Sequence, residues 1–354
     1  GVSAGGGAAP RQLVLGSMRH AVTRYACDLA GAVDALRDAA GSPEAVGQAV
    51  RAQNADDAIG AVAGIRNLHL QFTDRLFGAT PELAADLVEA LAQRARVTVT
   101  LHDLPQPSDG ARNLPRRAAA YTRVAEAAAG VVCNSRHEAL LLAEHSAPRL
   151  QREIAVIPLP VGAGVGAGVD FVVADDPTGR RSAPAAAILG YFYPGKGHAE
   201  LIDAVARSGV DLTVTALGTA APGHEAELAA VSASARAVGV LFESTGYLDD
   251  ALLLEHCRSI AVPVAAHQHL SASASINTWV AAGRRPLVPA GRYTRELAGL
   301  RPGTVTVYAP DELHTALAAA SADPASTWLS PGTSIRPHLP DTAERYLAWW
   351  EGLG

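Results

Sequence analysis

Short apolar runs alternate with amphipathic stretches along the chain, and the spacing of the apolar positions separates strands from helices. In the first half, five apolar runs predict buried strands and four one-sided stretches predict helices. The strands are placed at 12–17, 67–72, 96–101, 130–133 and 154–159, and the helices at 23–36, 81–95, 116–129 and 136–144. Such alternation indicates a parallel, doubly wound sheet.

The alternation stops at a glycine-rich stretch, 161–184, and then resumes. Strands are predicted at 186–190, 212–217, 240–244, 260–265, 285–289 and 304–308, and helices at 198–208, 225–238, 249–257, 275–282, 311–321 and 341–353. The last helix carries Tyr346, Trp349 and Trp350, which need an apolar surface to pack against.

We therefore expect two Rossmann-like α/β domains with doubly wound parallel sheets, facing each other across a cleft. The predicted boundaries are 1–165 for the N-terminal domain, 166–184 for a linker region, 185–335 for the C-terminal domain, and 336–354 for a helix that returns to the N-terminal domain. Ligands of such sheets bind at the loops outside the carboxyl ends of the strands, so the candidate residues are sought there.

Composition narrows the classes of function. A chain of 354 residues is too long for one ordinary hydrophobic core. Its hydrophobic fraction of 49% excludes a disordered chain. A net charge of −6 and an aromatic content of 5% argue against a general nucleic-acid binder. No apolar run is long enough to span a bilayer. Cys27, Cys133 and Cys257 are far apart, which indicates a reducing compartment, no disulfide framework and no metal site. We expect a cytoplasmic protein.

One basic residue differs from all the others, because 28 of the 29 are arginine and the exception is Lys196. It lies in the segment 190–198, Gly-Tyr-Phe-Tyr-Pro-Gly-Lys-Gly-His, between a predicted strand and a predicted helix. Gly190, Gly195 and Gly197 allow backbone N–H groups to approach an anion, and the helix N-terminus and the ammonium add positive charge. The segment is neither a Walker loop nor a dinucleotide fingerprint. An ordinary strand–turn–helix connection remains the alternative.

A serine cluster marks a second strand end in the C-terminal half. Ser271, Ser273 and Ser275 come just before the predicted helix that contains Asn277 and Thr278. Small residues keep the backbone accessible there, and the hydroxyls either cap the helix or bind phosphate oxygens. His267 and His269 precede the cluster and are weaker candidates without a metal-like partner set.

Polar residues also follow strands of the N-terminal half. His102 and Asp103 directly follow the run at 96–101. We expect His102 to hydrogen-bond a sugar hydroxyl and Asp103 to orient the imidazole ring of His102. His20 and Arg24 follow the first strand and suit a phosphate or an acceptor. Gln71, flanked by His69 and Thr73, is a weaker acceptor-side candidate.

Covalent catalysis finds no support in the chain. No Ser-His-Asp order and no carboxylate pair stands out, and there is no acidic residue between Ser259 and Arg295. A carboxylate nucleophile from that segment is therefore excluded.

With these motifs, the chain resembles the retaining nucleotide-sugar glycosyltransferases of family 4 (glycosyltransferase group 1), which have the two-Rossmann-domain fold called GT-B. The resemblance covers about 13–320 and is carried by the segments 189–197, 212–218, 242–248, 281–288 and 291–297, by the His102-Asp103 pair, and by the first helix with Arg24. It implies that the loop around Lys196 holds the donor diphosphate. It further implies that Tyr247 and Leu248 lie against the nucleotide base and that His102 touches the transferred sugar.

The chain departs from the family at three positions. Tyr191 stands where the family usually has an arginine, and the two glutamates of the family are replaced by Leu270 and Thr278. In the family, the first glutamate holds the donor sugar and the second the ribose, so both contacts need substitutes here.

The sequence thus predicts a divergent glycosyltransferase that moves a sugar from a nucleotide-diphosphate donor to an unidentified small-molecule, glycan or lipid-linked acceptor. The resemblance implies retention of configuration, no metal and no other cofactor, with His102 and Lys196 as catalytic residues. A lipid-linked acceptor would place the protein at the membrane periphery. Two alternatives stay open: a catalytically degenerate GT-B protein that binds nucleotide or sugar, and a nucleotide-sugar epimerase.

Overall fold

The computed structural model describes residues 9–41, 49–146, 150, 153–162, 183–267 and 269–353. The chain forms two compact units, of which unit 1 comprises 1–164 with 337–354 and unit 2 comprises 165–336. The predicted linker region, 166–184, lies outside the described residues except for its last two. These two, Ala183 and Pro184, begin a strand, so the predicted strand start at 186 is three residues late. Proline is tolerated there because the ladder with the strand at 213–217 begins only at Ala185 and the ladder with the strand at 260–264 has a register shift at this point.

Unit 1 contains a six-stranded parallel sheet, called sheet 1, with the strand order β2-β1-β3-β4-β5-β6. Its strands are β1 (Arg11–Leu15), β2 (Ala49–Ala52), β3 (Asn67–Phe72), β4 (Arg96–Leu101), β5 (Gly130–Cys133) and β6 (Ile154–Val156). Its helices before unit 2 are α1 (Ala21–Ala39), α2 (Ala55–Ala61), α3 (Asp74–Phe77), α4 (Pro81–Ala92), α5 (Gly110–Ala127) and α6 (Arg136–Leu141).

Unit 2 contains a second six-stranded parallel sheet, sheet 2, with the order β12-β11-β10-β7-β8-β9. Its strands are β7 (Ala183–Leu189), β8 (Thr213–Leu217), β9 (Phe242–Ser244), β10 (Ile260–Val264), β11 (Leu287–Pro289) and β12 (Thr306–Tyr308). Its helices are α7 (His198–Ser208), α8 (Glu225–Ala237), α9 (Asp250–Ser259), α10 (Ala274–Ala281), α11 (Arg292–Leu300) and α12 (Leu313–Ala322). The chain ends with α13 (Leu339–Gly352), which belongs to unit 1.

The predicted fold class is confirmed: both sheets are parallel, doubly wound and flanked by helices. In sheet 2, counted in chain order, the strands follow the 3-2-1-4-5-6 arrangement of the Rossmann fold. Sheet 1 has the flavodoxin-like beginning, 2-1-3-4-5. Each order creates a switch point, between β1 and β3 in sheet 1 and between β7 and β10 in sheet 2.

Some predicted elements need correction. β2, α2, α3 and α11 were not predicted. β2, α2 and α3 are short, whereas α11 is a nine-residue amphipathic helix whose pattern was overlooked. α5 begins at Gly110 rather than 116, with Pro115 inside it. Pro115 is the sixth residue of this helix, so it removes one backbone bond, to the Ala111 carbonyl, and the other turns of the 18-residue helix tolerate that loss. The helix predicted at 136–144 ends at Leu141 and continues as a wider π-type turn through Ser146.

The two faces of sheet 1 differ in chemistry. Leu68, Leu70, Val97 and Val99 point into a large apolar core that also receives residues of α2, α4 and α5. The alternate positions of the same strands form a polar face of sheet 1, defined here by Gln12, His69, Gln71, Thr98 and Thr100, all of them buried. Helices α1 and α13 cover that face with an aromatic cluster, which includes Tyr25, Tyr346 and Trp350.

Helix α13 packs closely over this face. A Cβ on Gly130 would lie 2.6 Å from Leu353 and 2.9 Å from Trp349, so only glycine leaves room for the helix there. Arg96 also donates a hydrogen bond of 2.7 Å to the Leu353 carbonyl. The aromatic residues of the last helix thus bury against unit 1.

Candidate functional site

The loop after β7 occupies the switch point of sheet 2. The chain leaves β7 toward β8 and β9 on one side and returns to β10 on the other, so the carboxyl ends of β7 and β10 flank the crevice in which such sheets bind ligands. The residues that meet here are those of 190–197, which lead into α7, and those that follow β10 from Ala265 onward.

Glycines let these two loops approach each other. Gly197 has a φ of +99°, and a Cβ on it would lie 2.5 Å from the Ala266 carbonyl oxygen. Gly218, after β8, approaches in the same way: a Cβ there would lie 2.4 Å from the Gly190 carbonyl oxygen. Gly190 itself has a φ of +100°, and its N–H donates to the Leu217 carbonyl at 2.9 Å. The loop is therefore fixed by backbone contacts on both sides.

Lys196 is a buried cation without an acidic partner. Its side chain is 8% exposed and turns back over the start of its own loop, so that a Cβ on Gly190 would lie 3.5 Å from its Nζ. The ammonium lies 5.5 Å from the centre of the Tyr193 ring and forms no ion pair with any described residue. Burial lowers the pKa of Lys196 to about 7. A charge this poorly solvated favours an anionic ligand.

Two buried histidines lie beside the ammonium. His198 is 2% exposed, and neither of its ring nitrogens has a hydrogen-bond partner among the described residues. Burial and the Lys196 charge lower its pKa to about 3. His267 is also buried, its Nδ1 lacks a partner within the described chain, and burial, Lys196 and His198 together hold its pKa well below the usual range. Three basic groups thus face one another with no carboxylate between them.

The serine cluster forms the start of α10. Ser273 accepts a hydrogen bond from the Ile276 N–H at 3.2 Å and caps the helix, and its hydroxyl lies 2.9 Å from that of Ser275. Asn277 and Thr278 lie inside the helix with partners in the protein, since Asn277 Oδ1 accepts from Arg301 at 3.1 Å and Thr278 donates to the Ala274 carbonyl at 3.0 Å. Ser271 is buried just before the helix.

The other residues predicted to bind the sugar donor differ in how exposed they are to solvent. Tyr191 is 44% exposed and Tyr247 is 66% exposed, whereas Leu248 packs against an apolar cluster around Trp279. The chain before Tyr247 is tied to the switch-point loops, because the Gly218 N–H donates to the Thr245 hydroxyl at 3.1 Å.

In unit 1, His102 and Asp103 follow β4. His102 Nε2 lies 2.7 Å from Gln71 Oε1, and Asn134 Nδ2 lies 3.3 Å from His102 Nδ1. Burial lowers the pKa of His102 to about 4, against the opposing effect of Asp103. Our expectation that Asp103 orients this ring is wrong, because Gln71 and Asn134 hold the two nitrogens and Asp103 instead accepts from the Thr73 hydroxyl at 3.1 Å.

The backbone at Asp103 has a strained conformation. Its φ of +51° is unusual for a residue with a side chain and exposes the carboxylate. Arg117 holds this turn by donating to the Asp103 carbonyl at 2.6 Å, and Tyr121 donates to the His102 carbonyl at 2.6 Å. Arg117 also forms ion pairs with Asp74 at 2.9 Å and with Asp109 at 2.6 Å. This turn therefore depends on the half-buried guanidinium of Arg117, which the sequence did not single out.

His20 and Arg24 lie on the same side of unit 1. His20 caps α1, its Nδ1 accepting from the Val22 N–H at 3.2 Å. Burial lowers the pKa of His20, while the Asp103 carboxylate raises it. Arg24 follows one turn later and is half-buried. The structure thus brings His20 near Asp103 and His102, as the common strand-end position predicts.

No group of three or more His, Cys, Asp or Glu side chains within the described ranges is arranged to hold a metal ion. In the part of the chain that the structure describes, no helix combines the length and apolar character required to cross a bilayer.

Sequence comparison matches no protein family and no curated protein. Solved structures do match. HepE of Anabaena in complex with UDP-glucose superposes with a TM-score of 0.65 at 12% identity, covering 97% of this chain and 100% of that one. The fold is of the GT-B type. Sucrose-phosphate synthase of Thermosynechococcus elongatus matches with a TM-score of 0.57 at 16% identity, covering 84% of this chain and 74% of that one. TarM matches with a TM-score of 0.56 at 10% identity, covering 81% and 54%.

Several residues of these sites were not predicted from the sequence. His198 was named only as the end of the glycine-rich segment, and Asn134 was not named as a site residue. Ser135 does accept from the Glu138 N–H at 3.0 Å, which leaves Asn134 for His102. The signal for Asn134 is its place directly after β5, next to β4 in the sheet.

Proposed function

We propose that this protein is a glycosyltransferase that moves a sugar from a nucleotide-diphosphate donor, with the diphosphate bound at the loop 190–197 of unit 2. The observation that carries the proposal is the buried ammonium of Lys196, which has no acidic partner among the described residues and lies at the switch point of sheet 2. A diphosphate supplies the negative charge that this position lacks. HepE, which has the same fold, was solved with UDP-glucose, so we propose a UDP-linked donor as the first to test.

The chemistry follows from charge. When the bond between the sugar and the diphosphate breaks, negative charge grows on the leaving phosphate. Lys196 and the N-termini of α7 and α10 lie ready to stabilise that charge without rearrangement. Ser271, Ser273 and Ser275 offer hydroxyls to the same group, and the exposed ring of Tyr247, next to Leu248, offers a stacking surface for the base. Because these groups supply the charge, we propose transfer without a metal.

In this proposal, residues of unit 1 contact the transferred sugar and the acceptor. His102, held by Gln71 and Asn134, positions the sugar, and the exposed Asp103 carboxylate with His20 and Arg24 faces the acceptor. Retention of configuration, by attack on the same face without a protein nucleophile, is part of the proposal. The acceptor itself is left open, as a small molecule, glycan or lipid-linked group. The separated cysteines favour a cytoplasmic location.

A second candidate function has its own support. The segment between Ser259 and Arg295 contains no acidic residue, so neither glutamate that grips donor sugar and ribose in the resembled family is present. A protein that binds nucleotide sugar without turning it over fits that departure. The two candidates share the binding site and differ in turnover.

The test measures binding and turnover on the full chain. UDP and UDP-glucose are titrated by calorimetry, and UDP release from UDP-glucose is then followed with and without simple sugar acceptors and with a chelator. Binding together with slow release supports the glycosyltransferase, and the anomer formed, read by NMR, tests retention. Binding without any release supports the degenerate binder, and absence of binding of any nucleotide sugar overturns both.

A further inference from the structure

The loop after β7 ends in a tight turn that joins a tyrosine to the lysine. The Lys196 N–H donates to the Tyr193 carbonyl at 3.1 Å, which closes a turn of four residues. Pro194 occupies its second position, and Gly195, with a φ of +88°, occupies its third. Proline followed by a glycine of positive φ is the pattern of a type II turn. The turn therefore brings the first and last residues of the segment together.

The chain before this turn is extended, and this sets the direction of its side chains. Phe192 donates its N–H to the Thr219 carbonyl at 2.9 Å and accepts from the Ala221 N–H at 2.8 Å, as in a parallel ladder. Side chains alternate between the two sides of an extended chain. Phe192 is therefore buried, whereas Tyr191 and Tyr193 point the other way and are exposed.

The ring of Tyr193 faces the ammonium of Lys196. Lys196 Nζ lies over this ring, 5.5 Å from its centre. An ammonium within about 6 Å of the centre of an aromatic face is attracted by the negative charge of the π-system. The ammonium also lies against Gly190, where a Cβ would be 3.5 Å from Nζ. The cation thus packs against an aromatic face and a bare stretch of backbone.

An aromatic ring holds a cation differently from a carboxylate. A carboxylate would neutralise the ammonium and repel a diphosphate, whereas a ring without net charge attracts the ammonium and leaves its charge for a ligand. His198 and His267, the titratable groups beside the ammonium, add no negative charge either, because burial and the Lys196 charge lower the pKa of both.

We infer that Tyr193 is a positioning residue that holds the Lys196 ammonium, charged and in place, at the loop where the diphosphate binds. The inference rests on the proposed function for the ligand of the ammonium, but not for the pairing of ring and ammonium.

The pairing can be observed directly, because Lys196 is the only lysine of the chain. Ligand-free full chain labelled with ¹³C in lysine gives a single Hε–Cε NMR signal from that side chain. We expect its Hε protons to be shifted upfield of free lysine by the ring and to show a nuclear Overhauser effect to the Tyr193 ring protons. An Hε signal at the position of free lysine, without contact to an aromatic ring, overturns the inference.

Two substitutions separate the ring from its hydroxyl. Tyr193→Phe keeps the aromatic face and should keep the upfield shift, whereas Tyr193→Leu removes the face and should lose the shift. Titration of the same signal should also give a pKa of Lys196 that is lower in Tyr193→Leu by about half a pH unit or more, because the ring stabilises the charged amine. The matched control is Tyr191→Leu, which removes the other exposed ring and should leave the Lys196 signal and pKa unchanged. Equal pKa values in Tyr193→Phe and Tyr193→Leu overturn the inference.

The consequence for donor binding is tested by calorimetric titration of UDP into Tyr193→Leu and Tyr193→Phe at pH 6 and pH 8.5. Tyr193→Leu should bind UDP about threefold more weakly than Tyr193→Phe at pH 8.5, where the charged fraction of the amine limits binding, and the difference should shrink at pH 6. The same difference at both pH values, or none, overturns the positioning role. If UDP does not bind the unaltered chain, the proposed function fails, while the signal of Lys196 in the ligand-free protein still decides whether Tyr193 holds the ammonium.

Discussion

The carboxyl edges of the two sheets hold similar polar residues in opposite states. At the edge of sheet 1, His102 has partners at both nitrogens and Arg117 holds two carboxylates and a carbonyl. At the edge of sheet 2, the ammonium of Lys196 has no acidic partner, and the buried ring nitrogens of His198 lack partners among the described residues. The edge of sheet 2 lies at the switch point between β7 and β10, whereas His102 follows β4, one strand beyond the switch point of sheet 1.

The two edges therefore differ in what satisfies their buried polar groups, which is the protein itself in sheet 1 and a ligand in sheet 2. A buried polar group without a partner costs about 1–3 kcal/mol and a buried charge costs more, so such groups persist where a ligand satisfies them. The edge of sheet 2 therefore has the features of a site that binds an anion. The edge of sheet 1 is already satisfied, and its own contacts hold the strained turn at Asp103 and the ring of His102 in place.

The largest effect on stability is expected at the carboxyl edge of sheet 1, where the polar groups already have partners. Arg117→Ala leaves Asp74, whose side chain is 4% exposed, without its counter-charge. Breaking a buried pair in this way costs about 3–5 kcal/mol of unfolding free energy, measured by urea denaturation. The matched control is Arg116→Ala, which removes an exposed pair with Glu82 and should change stability little. Equal effects of the two substitutions would contradict a supporting role for Arg117.

The next effect concerns the unsatisfied edge. Lys196→Ala should cost about 2–4 kcal/mol of transition-state stabilisation, read from kcat/KM with UDP-glucose, because one preorganised charge is lost. Stability should not fall in parallel, since the lysine has no ion pair with the described residues to lose. The control is Arg207→Ala, which removes an exposed cation from α7, the helix that follows the loop. Unchanged kinetics in Lys196→Ala would remove the main support for the proposed function.

A smaller effect is expected at His267. If its unpartnered nitrogen meets the diphosphate, His267→Gln should weaken UDP binding by about 2 kcal/mol, the range for a hydrogen bond to a charged group. His269→Gln is the natural control, because that side chain is exposed two residues away. Calorimetry that gives the same Kd for both variants would exclude His267 from the site.

The smallest effect, when taken over a single pH unit, is a dependence of stability on pH. Burial lowers the pKa of Lys196 from 10.5 to about 7, so the unfolded chain binds more protons than the folded chain between these values. The unfolding free energy of the ligand-free protein should therefore rise with pH above about 7, by at most about 1.4 kcal/mol per pH unit from this group. Lys196→Met should remove that contribution. Identical pH profiles for both proteins would show that Lys196 is solvated.

The sequence predicts the repetitive parts of this fold well. The bounds of α7, β3, β4 and β5 agree with the predicted ranges, because period and composition are local properties. The polar face of sheet 1 is also visible as alternation, in His69 and Gln71 and again in Thr98 and Thr100. Its partner was not predictable, because Thr100 and Tyr346 are separated by 246 positions in the chain.

Some residues of the candidate sites could likewise be predicted from the sequence, and others could not. The glycines and lysine of 190–197 could be found from local spacing and from the rarity of lysine. The role expected of Asp103 was wrong, because the direction of a side chain after a strand depends on the backbone turn, here a positive φ held by Arg117. His198 gave no local signal beyond its position, since burial without a partner appears only in three dimensions.

The most direct measurement is calorimetric titration of UDP into the full chain and into Lys196→Met at pH 8, each in two buffers of different ionisation enthalpy. In the ligand-free protein the pKa of Lys196 is about 7, so most of this side chain is neutral at pH 8. Binding of a diphosphate should therefore take up protons, and the affinity for UDP should increase as the pH falls toward 7. Lys196→Met should bind far more weakly and take up none through this group. Equal affinity and equal proton uptake in the two proteins would contradict the account.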